Sequence, residues 1–119
     1  PIRTRATPGL SSALLFTTFP EVGTLQDRAC FESVAQHVKL VRYGVDCYAY
    51  ALLAAGQIDL VIEAGLNSYD IQAPIALIEA AGGIVTDWAG GPVHQGGRAL
   101  AAANADIHAA ALAILQGTA

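Results

Sequence analysis

The amino-acid sequence predicts an α/β fold, in which a layered mixed β-sheet is flanked by helices. Short apolar runs typical of buried strands, such as residues 60–62, alternate along the chain with segments of helical spacing. Glycine or proline stands at the end of most of these segments. Strands that alternate with helices build a sheet whose two faces are both covered. The 119 residues suit one domain with a sizeable core.

The first half of the chain divides at proline and glycine. The first predicted strand ends at Pro20, the second is closed by Gly44, and the nearly apolar second helix stops at Gly56. The predicted strands cover residues 14–19, 39–43, 59–63, 84–88 and 100–103, and the predicted helices cover residues 26–37, 46–55, 71–81 and 107–115.

The second half is marked by one proline and several glycine pairs. The third helix is expected to begin near Ile71, with Pro74 in its first turn, where a missing N–H costs little. Gly82-Gly83 ends that helix. Residues 90–92 and 96–97, which are rich in glycine, are expected to frame a mobile loop before the last strand.

The composition indicates that the chain buries more of its surface than a monomer would. Hydrophobic residues make up 54% of the chain and charged residues only 13%, against the usual quarter. We therefore expect an extensive interface, either with a second copy in a homodimer or with a missing part of the same protein. The net charge is −4 and the six Lys and Arg are scattered, which argues against a nucleic-acid partner. No apolar run has the length of a membrane span.

The start of the chain and its cysteines bear on its origin. The first five residues lack the apolar core of a signal peptide, and there is no Met at all, so we expect a piece of a longer polypeptide.

Cys30 and Cys47 have neither metal-ligand spacing nor a disulfide framework, so we expect reduced thiols and a cytoplasmic location.

Glu63 and Asp70 are the strongest candidates for a functional site. Glu63 is expected to end a buried strand, and Asp70 to stand at the start of the following helix, where ligands tend to bind in α/β sheets. The alternatives are a solvated strand end for Glu63 and a simple N-cap for Asp70. Two carboxylates alone cannot fill the coordination sphere of Mg²⁺. The other acidic candidates are Asp46, Asp59, Glu79 and Asp87.

Asp46 and Arg42 are weaker candidates on either side of Gly44. Asp46 is either the N-cap of the second helix or a carboxylate that faces a cationic group of a substrate. Arg42, at the end of its strand, pairs with a carboxylate or with a phosphate; pairing at the surface is the more usual outcome. The three histidines lie far apart and are expected to be structural. No glycine motif for nucleotide binding is present.

Several segments resemble the C-terminal half of the inositol monophosphatase family. The second signature of that family contains W-D-x-A, then a helix that closes on E-A-G-G. Here residues 69–73 read YDIQA and residues 79–83 read EAAGG. Residues 42–50, RYGVDCYAY, are most similar to the bacterial histidinol-phosphate phosphatase branch. The resemblance implies the C-terminal half of an αβαβα sandwich.

The resemblance also implies roles for individual residues. Asp70 matches the family aspartate that binds catalytic Mg²⁺, and Glu63 matches the glutamate that contacts the non-phosphate part of the substrate. Gly44, Val45 and Asp46 match the segment that lines the substrate pocket. With an acid at position 46, Glu63 and Asp46 would form a pair of carboxylates that recognises a cationic substrate such as histidinol phosphate.

The remaining metal ligands of the family, a Glu-Glu pair and a D-P-x-D-G-T segment, are absent from this sequence. We therefore expect the C-terminal part of a Mg²⁺-dependent phosphomonoesterase that is inactive without its upstream half. One alternative is a phosphatase for inositol phosphate or another small sugar phosphate. Another is a non-catalytic module for oligomerisation or interaction.

Overall fold

The computed structural model describes residues 2–18, 23–44 and 48–118. No helix in these ranges is long and apolar enough to cross a membrane. A short 3₁₀ helix at Leu10–Ser12 precedes the regular elements. These are β1 (Leu14–Thr17), α1 (Leu25–Ala35), β2 (Leu40–Tyr43), α2 (Tyr48–Ala54), β3 (Leu60–Asn67), α3 (Ser68–Ala80), β4 (Ile84–Thr86), β5 (Gly96–Ala102) and α4 (Ala105–Thr118).

The five strands form one mixed sheet in the order β2-β1-β3-β5-β4. Strands β1, β2 and β3 are parallel, whereas β5 runs antiparallel to both β3 and β4. The predicted mixed sheet flanked by helices is therefore confirmed. Because β1 to β3 are parallel, their carboxyl ends meet at one edge of the sheet.

Helices cover both faces of the sheet, as alternating strands and helices predict. Buried side chains of α2 and α3, such as Leu53 and Ile75, pack on one face against Val61 of β3. Buried side chains of α1 and α4 pack on the other face against Ile62. Neighbouring residues of β3 thus point to opposite helical layers, which is the alternation expected of a strand.

Strand β3 is longer than predicted, and this changes the place of Glu63. The prediction that Glu63 ends the strand is wrong, because β3 continues to Asn67. The pairing with β5 shifts between Glu63 and Leu66, so β3 contains one extra residue, a β-bulge. Gly65 adopts a φ of 74° within this bulge, a conformation that glycine tolerates without strain. The bulge allows the strand to continue beyond Glu63 to the start of α3.

Helix α3 begins earlier than predicted. Its N-cap is Asn67 and its first residue is Ser68, so the predicted start near Ile71 is wrong. Pro74 lies inside the helix rather than in its first turn. Its ring cannot donate the hydrogen bond that the carbonyl of Asp70, four residues earlier, would otherwise accept. The predicted start failed because the first turn of α3 is polar and lacks the apolar spacing of a helix.

Strand β5 also starts earlier than predicted, and β4 is shorter. Gly96 and Gly97, predicted to frame a loop, belong to β5 and pair with Asn67 and Leu66. Both glycines have positive φ, at 88° and 94°. A Cβ on Gly96 would meet the Leu66 carbonyl oxygen and approach the Asn67 carbonyl carbon to 2.8 Å. Glycine at position 96 is therefore required for the close approach of β5 to the end of β3.

We predict that Gly96→Ala destabilises the protein more than Gly97→Ala. Both substitutions place a side chain at positive φ, at a cost of about 1–2 kcal/mol. A Cβ on Gly97 has no neighbour within 4 Å, whereas one on Gly96 collides with backbone, which adds about 1–3 kcal/mol. Urea denaturation of the two variants measures the difference. Equal losses of stability would contradict the close approach.

Candidate active site

The carboxyl ends of β1, β2 and β3 bring together residues that are distant in the sequence. Phe16 is opposite Val61 in the register of β1 and β3, so two residues further along Thr18 is opposite Glu63. On the other side of β1, the Gly44 N–H donates to the carbonyls of Thr17 and Thr18, at 3.1 and 2.9 Å. Gly44, Thr18 and Glu63 therefore form a row across three strands. This row lies where ligands bind in α/β sheets.

The Glu63 side chain is buried beneath α2, with 8% of its surface exposed. Its Oε2 accepts a hydrogen bond from the Thr18 hydroxyl, and its Oε1 accepts one of 2.7 Å from the Tyr50 hydroxyl. Neither ion pair within the described residues involves Glu63. The solvated strand end considered above is therefore wrong. Glu63 is thus a buried carboxylate held by neutral hydroxyls, with no ion-pair partner among the described residues.

Asp70 is the third residue of α3 and closes a cap on its own helix. The main-chain N–H of Asn67 donates to Asp70 Oδ2 at 3.0 Å, the reciprocal half of a capping box. Asp70 is therefore not the N-cap itself. Its side chain is half-buried at the rim of a groove of about 440 Å³ between α2 and α3. The groove is lined by Tyr50, Ala51, Tyr69, Asp70, Ala73, Pro74 and Leu77.

Tyr50 connects the groove to the buried carboxylate. Tyr50 lines the groove together with Asp70, and its hydroxyl donates to Glu63. Tyr50 is 2% exposed, so α2 holds it in one orientation. The two carboxylates predicted from the sequence are therefore parts of one region at the same end of the sheet.

The ability of Asp70 to bind a metal ion depends on which of its carboxylate oxygens already accepts a hydrogen bond. Oδ2 accepts the Asn67 N–H, and within the described ranges no hydrogen bond occupies Oδ1. A carboxylate oxygen at the rim of a groove, at the N-terminus of a helix, suits one position in the shell of a hard cation. No group of three His, Cys, Asp or Glu side chains in the described part of the chain could hold a metal. Asp70 thus fits as one ligand among others that this part does not provide.

The remaining predicted site residues lie at or beyond the end of β2. Arg42 is exposed and pairs in register with Phe16, so it lies on the same face of the sheet as Glu63. Neither ion pair of the described residues includes Arg42. Val45 and Asp46, which were predicted to line the substrate pocket, lie outside the described residues.

Two of the other acidic candidates stabilise loops rather than a site. Asp59 is fully buried, accepts the N–H of Leu14 at 2.8 Å and the hydroxyl of Thr7, and lies 3.5 Å from Arg5 Nε. It therefore anchors the N-terminal segment to the sheet. Asp87 Oδ1 accepts the N–H groups of Ala89 and Gly91, both at 2.8 Å, and so forms a turn.

The histidines and the described cysteine have local partners. His108 Nε2 lies 2.8 Å from the Thr86 hydroxyl, and burial lowers the pKa of His108. His37 Nδ1 lies 2.8 Å from the Ser33 carbonyl, and the His94 carbonyl accepts from Gln72. Cys30 is a buried free thiol in α1, whereas Cys47 lies outside the described residues.

Sequence reasoning missed Thr18 and Tyr50. Thr18 directly follows the first strand, and a hydroxyl at the carboxyl end of a parallel strand could have marked it as a residue of the site. Tyr50 lies within an apolar helix, where the hydroxyl of a buried tyrosine needs a partner. The partner is Glu63, 13 residues away, and only the fold reveals it.

The sequence of the chain matches the family described as "Inositol monophosphatase family" over residues 1–118. The chain belongs to the inositol monophosphatase family. The resemblance of the YDIQA and EAAGG segments to that family is thus confirmed at the level of the family. The histidinol-phosphate branch within it stays a prediction.

Known proteins of this family support the assignment. The chain is 44% identical over 124 aligned positions to the bifunctional phosphatase IMPL2, chloroplastic, of Arabidopsis thaliana, covering 97% of this chain and 36% of that protein. An inositol monophosphatase from Zymomonas mobilis is 36% identical with a TM-score of 0.93, covering 97% of this chain and 46% of that one. One from Anabaena (Nostoc) sp. PCC 7120 is 30% identical with a TM-score of 0.83, covering 98% and 49%.

The chain spans about a third of the length of the curated relative and just under half of these solved structures. The matched structures confirm the mixed α/β fold, with a five-stranded sheet flanked by helices. The roles of Asp70 and Glu63 are proposals that rest on the geometry described above.

We predict that Asp70→Asn changes stability only slightly. Asn keeps an oxygen that can accept the Asn67 N–H but removes a negative charge near the helix N-terminus, at a cost of about 0.5 kcal/mol. The control is Glu79→Gln, an exposed acid in the last turn of the same helix, where loss of the charge has no cost. Thermal denaturation compares the two variants. A loss above about 2 kcal/mol for Asp70→Asn would show a mainly structural role.

Proposed function

We propose that this chain is the C-terminal part of a Mg²⁺-dependent phosphomonoesterase that hydrolyses histidinol phosphate to histidinol and phosphate. Membership of the inositol monophosphatase family supports the reaction class. The 44% identity to a plant protein named as a bifunctional phosphatase supports it further. We propose a place in histidine biosynthesis and a cytoplasmic location for the whole protein.

The observation that carries the choice of substrate is the Glu63 carboxylate. It lies buried within β3, level with the carboxyl ends of β1 and β2, its hydrogen-bond partners are two neutral hydroxyls, and neither ion pair of the described residues includes it. A buried charge without a cationic partner is costly, and a cation from the substrate offsets that cost on binding. Histidinol phosphate provides an amine and an imidazole, whereas inositol phosphate provides only hydroxyls. Asp46 adds a second negative charge in the same chain.

Asp70 would provide the chain's ligand to Mg²⁺. When bound, Mg²⁺ activates water and neutralises charge on the phosphoryl oxygens. Asp70 would hold its Oδ1 towards the groove, while its Oδ2 remains bonded to the Asn67 N–H. The Asn67 cap orients the carboxylate, and helix α3 fixes its distance from Glu63. The phosphate would lie beside Asp70, and the cationic end of the substrate beside Glu63.

A complete site requires ligands from elsewhere. No three metal-binding side chains come together in the described ranges, so the upstream half is proposed to supply the rest. Exposed apolar side chains on α2 and α3 support an interface beside the groove. Tyr69 is 78% exposed, and Tyr48 and Leu77 are also exposed. Docking of the upstream half there would cover these side chains, and a homodimer is the further partner that we propose.

A second candidate is hydrolysis of inositol 1-phosphate or another small sugar phosphate. The solved relatives at 36% and 30% identity are described as inositol monophosphatases, which favours this candidate. The buried carboxylate and Asp46 favour the cationic substrate instead. A non-catalytic interaction module is the candidate of another class, and it is favoured by the low content of charged residues.

The proposal predicts activity only when both halves are present. Phosphate release from histidinol phosphate with Mg²⁺ is measured for this chain alone and for the chain folded together with its upstream half. We expect release only from the combined sample. Asp70→Asn should reduce that release by roughly 100-fold or more, because a catalytic metal contributes several kcal/mol to the transition state. Removal of Mg²⁺ with EDTA should abolish it.

The matched control for this experiment is Glu79→Gln, which should leave the rate unchanged because Glu79 is exposed near the far end of α3. Activity of the chain alone would show that the metal site has been misplaced. Release from inositol 1-phosphate but not from histidinol phosphate would establish the second candidate. No release from either ester by the combined sample would favour the interaction module.

A separate prediction concerns Asp46. Asp46→Asn should weaken the binding of histidinol phosphate by about tenfold and leave inositol 1-phosphate nearly unaffected, because only the former loses a charge–charge contact. The KM values of the intact protein for the two esters measure the effect. Equal changes for both esters would remove Asp46 from the recognition of a cation.

A further inference from the structure

The hydrogen bonds of Glu63 leave part of its carboxylate available. An ionised carboxylate accepts hydrogen bonds at about four lone-pair positions and donates none. Thr18 and Tyr50 provide one donor each, and each donates to a different oxygen. The two hydroxyls therefore fix both oxygens of the carboxylate and leave further acceptor positions on each. Those positions can accept N–H donors from a ligand.

The two donors come from separate elements of the fold. Thr18 directly follows β1, and Tyr50 belongs to α2, which packs on the sheet above Glu63. Glu63 itself lies in β3, so the carboxylate is fixed from a neighbouring strand and from the covering helix. A carboxylate held in this way loses little conformational freedom when a ligand binds. Preorganisation of this kind raises affinity without new contacts.

The donors are neutral, and this decides what the carboxylate can recognise. Hydroxyl groups stabilise the negative charge of Glu63 by hydrogen bonds but do not cancel it. A lysine or arginine in either position would have formed a buried ion pair with Glu63, and a substrate cation would then have gained little. The described ion pairs of the chain join Arg5 to Asp59 and Arg98 to Asp27, and neither includes Glu63.

We infer that Thr18 and Tyr50 are positioning residues that hold Glu63 as an oriented anionic receptor for the cationic nitrogen of the substrate. This inference rests on the proposed function. The selectivity of the site for a cationic over a neutral phosphomonoester depends on the two hydroxyls as well as on the carboxylate. Tyr50 also lines the groove that Asp70 lines, so it lies between the two carboxylates of the site.

Each hydroxyl can be removed with little change of shape. Tyr50→Phe removes the hydroxyl that donates to Oε1, and Thr18→Val removes the hydroxyl that donates to Oε2. Thr18→Ser keeps a hydroxyl and should restore the behaviour of the natural protein. Tyr43→Phe is the control for tyrosine, since Tyr43 is exposed at the end of β2 and its ring contacts Phe31 of α1, on the opposite face of the sheet from Glu63.

The measurement is equilibrium binding to the intact protein by calorimetry in EDTA, where no turnover occurs. The probes are histidinol phosphate and inositol 1-phosphate. We expect each of Tyr50→Phe and Thr18→Val to weaken the binding of histidinol phosphate by about tenfold, because the carboxylate is then no longer fixed before the ligand binds. Inositol 1-phosphate should change by less than about twofold, because no charge–charge contact depends on the carboxylate. Thermal denaturation of each variant checks that it is folded.

A double-mutant comparison separates positioning from stability. Glu63→Gln should itself weaken histidinol phosphate, and in that background Tyr50→Phe should have almost no further effect on its binding. Equal weakening of both esters by Tyr50→Phe, or an unchanged effect of Tyr50→Phe in the Glu63→Gln background, would overturn the inference. So would binding of the two esters by the natural protein with equal affinity.

The same data distinguish failure of the inference from failure of the proposed function. Selective binding of histidinol phosphate that is lost in the two variants, without phosphate release when Mg²⁺ is restored, would overturn the hydrolytic function and support the receptor. Release of phosphate with unaltered selectivity in the variants would overturn the receptor and support the hydrolytic function.

Discussion

The buried Glu63 carboxylate is the constraint on which the rest of the site depends. It lies in a row with Thr18 and Gly44, which directly follow the carboxyl ends of β1 and β2, and beneath Tyr50 of α2. Loss of a hydrogen bond to a buried charged group costs about 1–3 kcal/mol, so the two hydroxyls contribute to stability as well as to recognition. The same local arrangement thus stabilises the helix-to-sheet contact and presents a negative charge to a ligand.

The position of Asp70 relative to Glu63 depends on backbone features of β3 and β5. The bulge at Gly65 carries β3 past Glu63 to Asn67, and the Asn67 N–H then binds Asp70. Gly96 allows β5 to approach the end of β3 closely enough to pair with it. A rigid strand and the first turn of a helix therefore separate the two carboxylates. Such elements hold functional groups more precisely than a loop would.

The sequence predicted the class of the fold and the two carboxylates, but not how the fold uses them. Apolar strands and helices were visible because their patterns are local, whereas β3 beyond Glu63 contains no apolar run and depends on pairing with β5. Thr18 is 45 residues from Glu63, so their hydrogen bond left no local pattern. Asp70 could not be distinguished from an N-cap, because Asn67 and Asp70 are both residues that cap helices.

The most direct test of this account is a crystal structure of the intact protein with histidinol phosphate bound. We expect a cationic nitrogen of the substrate to lie within hydrogen-bond distance of the Glu63 carboxylate, with Thr18 and Tyr50 still bonded to it, and the phosphate to lie beside Asp70. A substrate bound in the opposite direction, or one with no nitrogen within hydrogen-bond distance of Glu63, would contradict it.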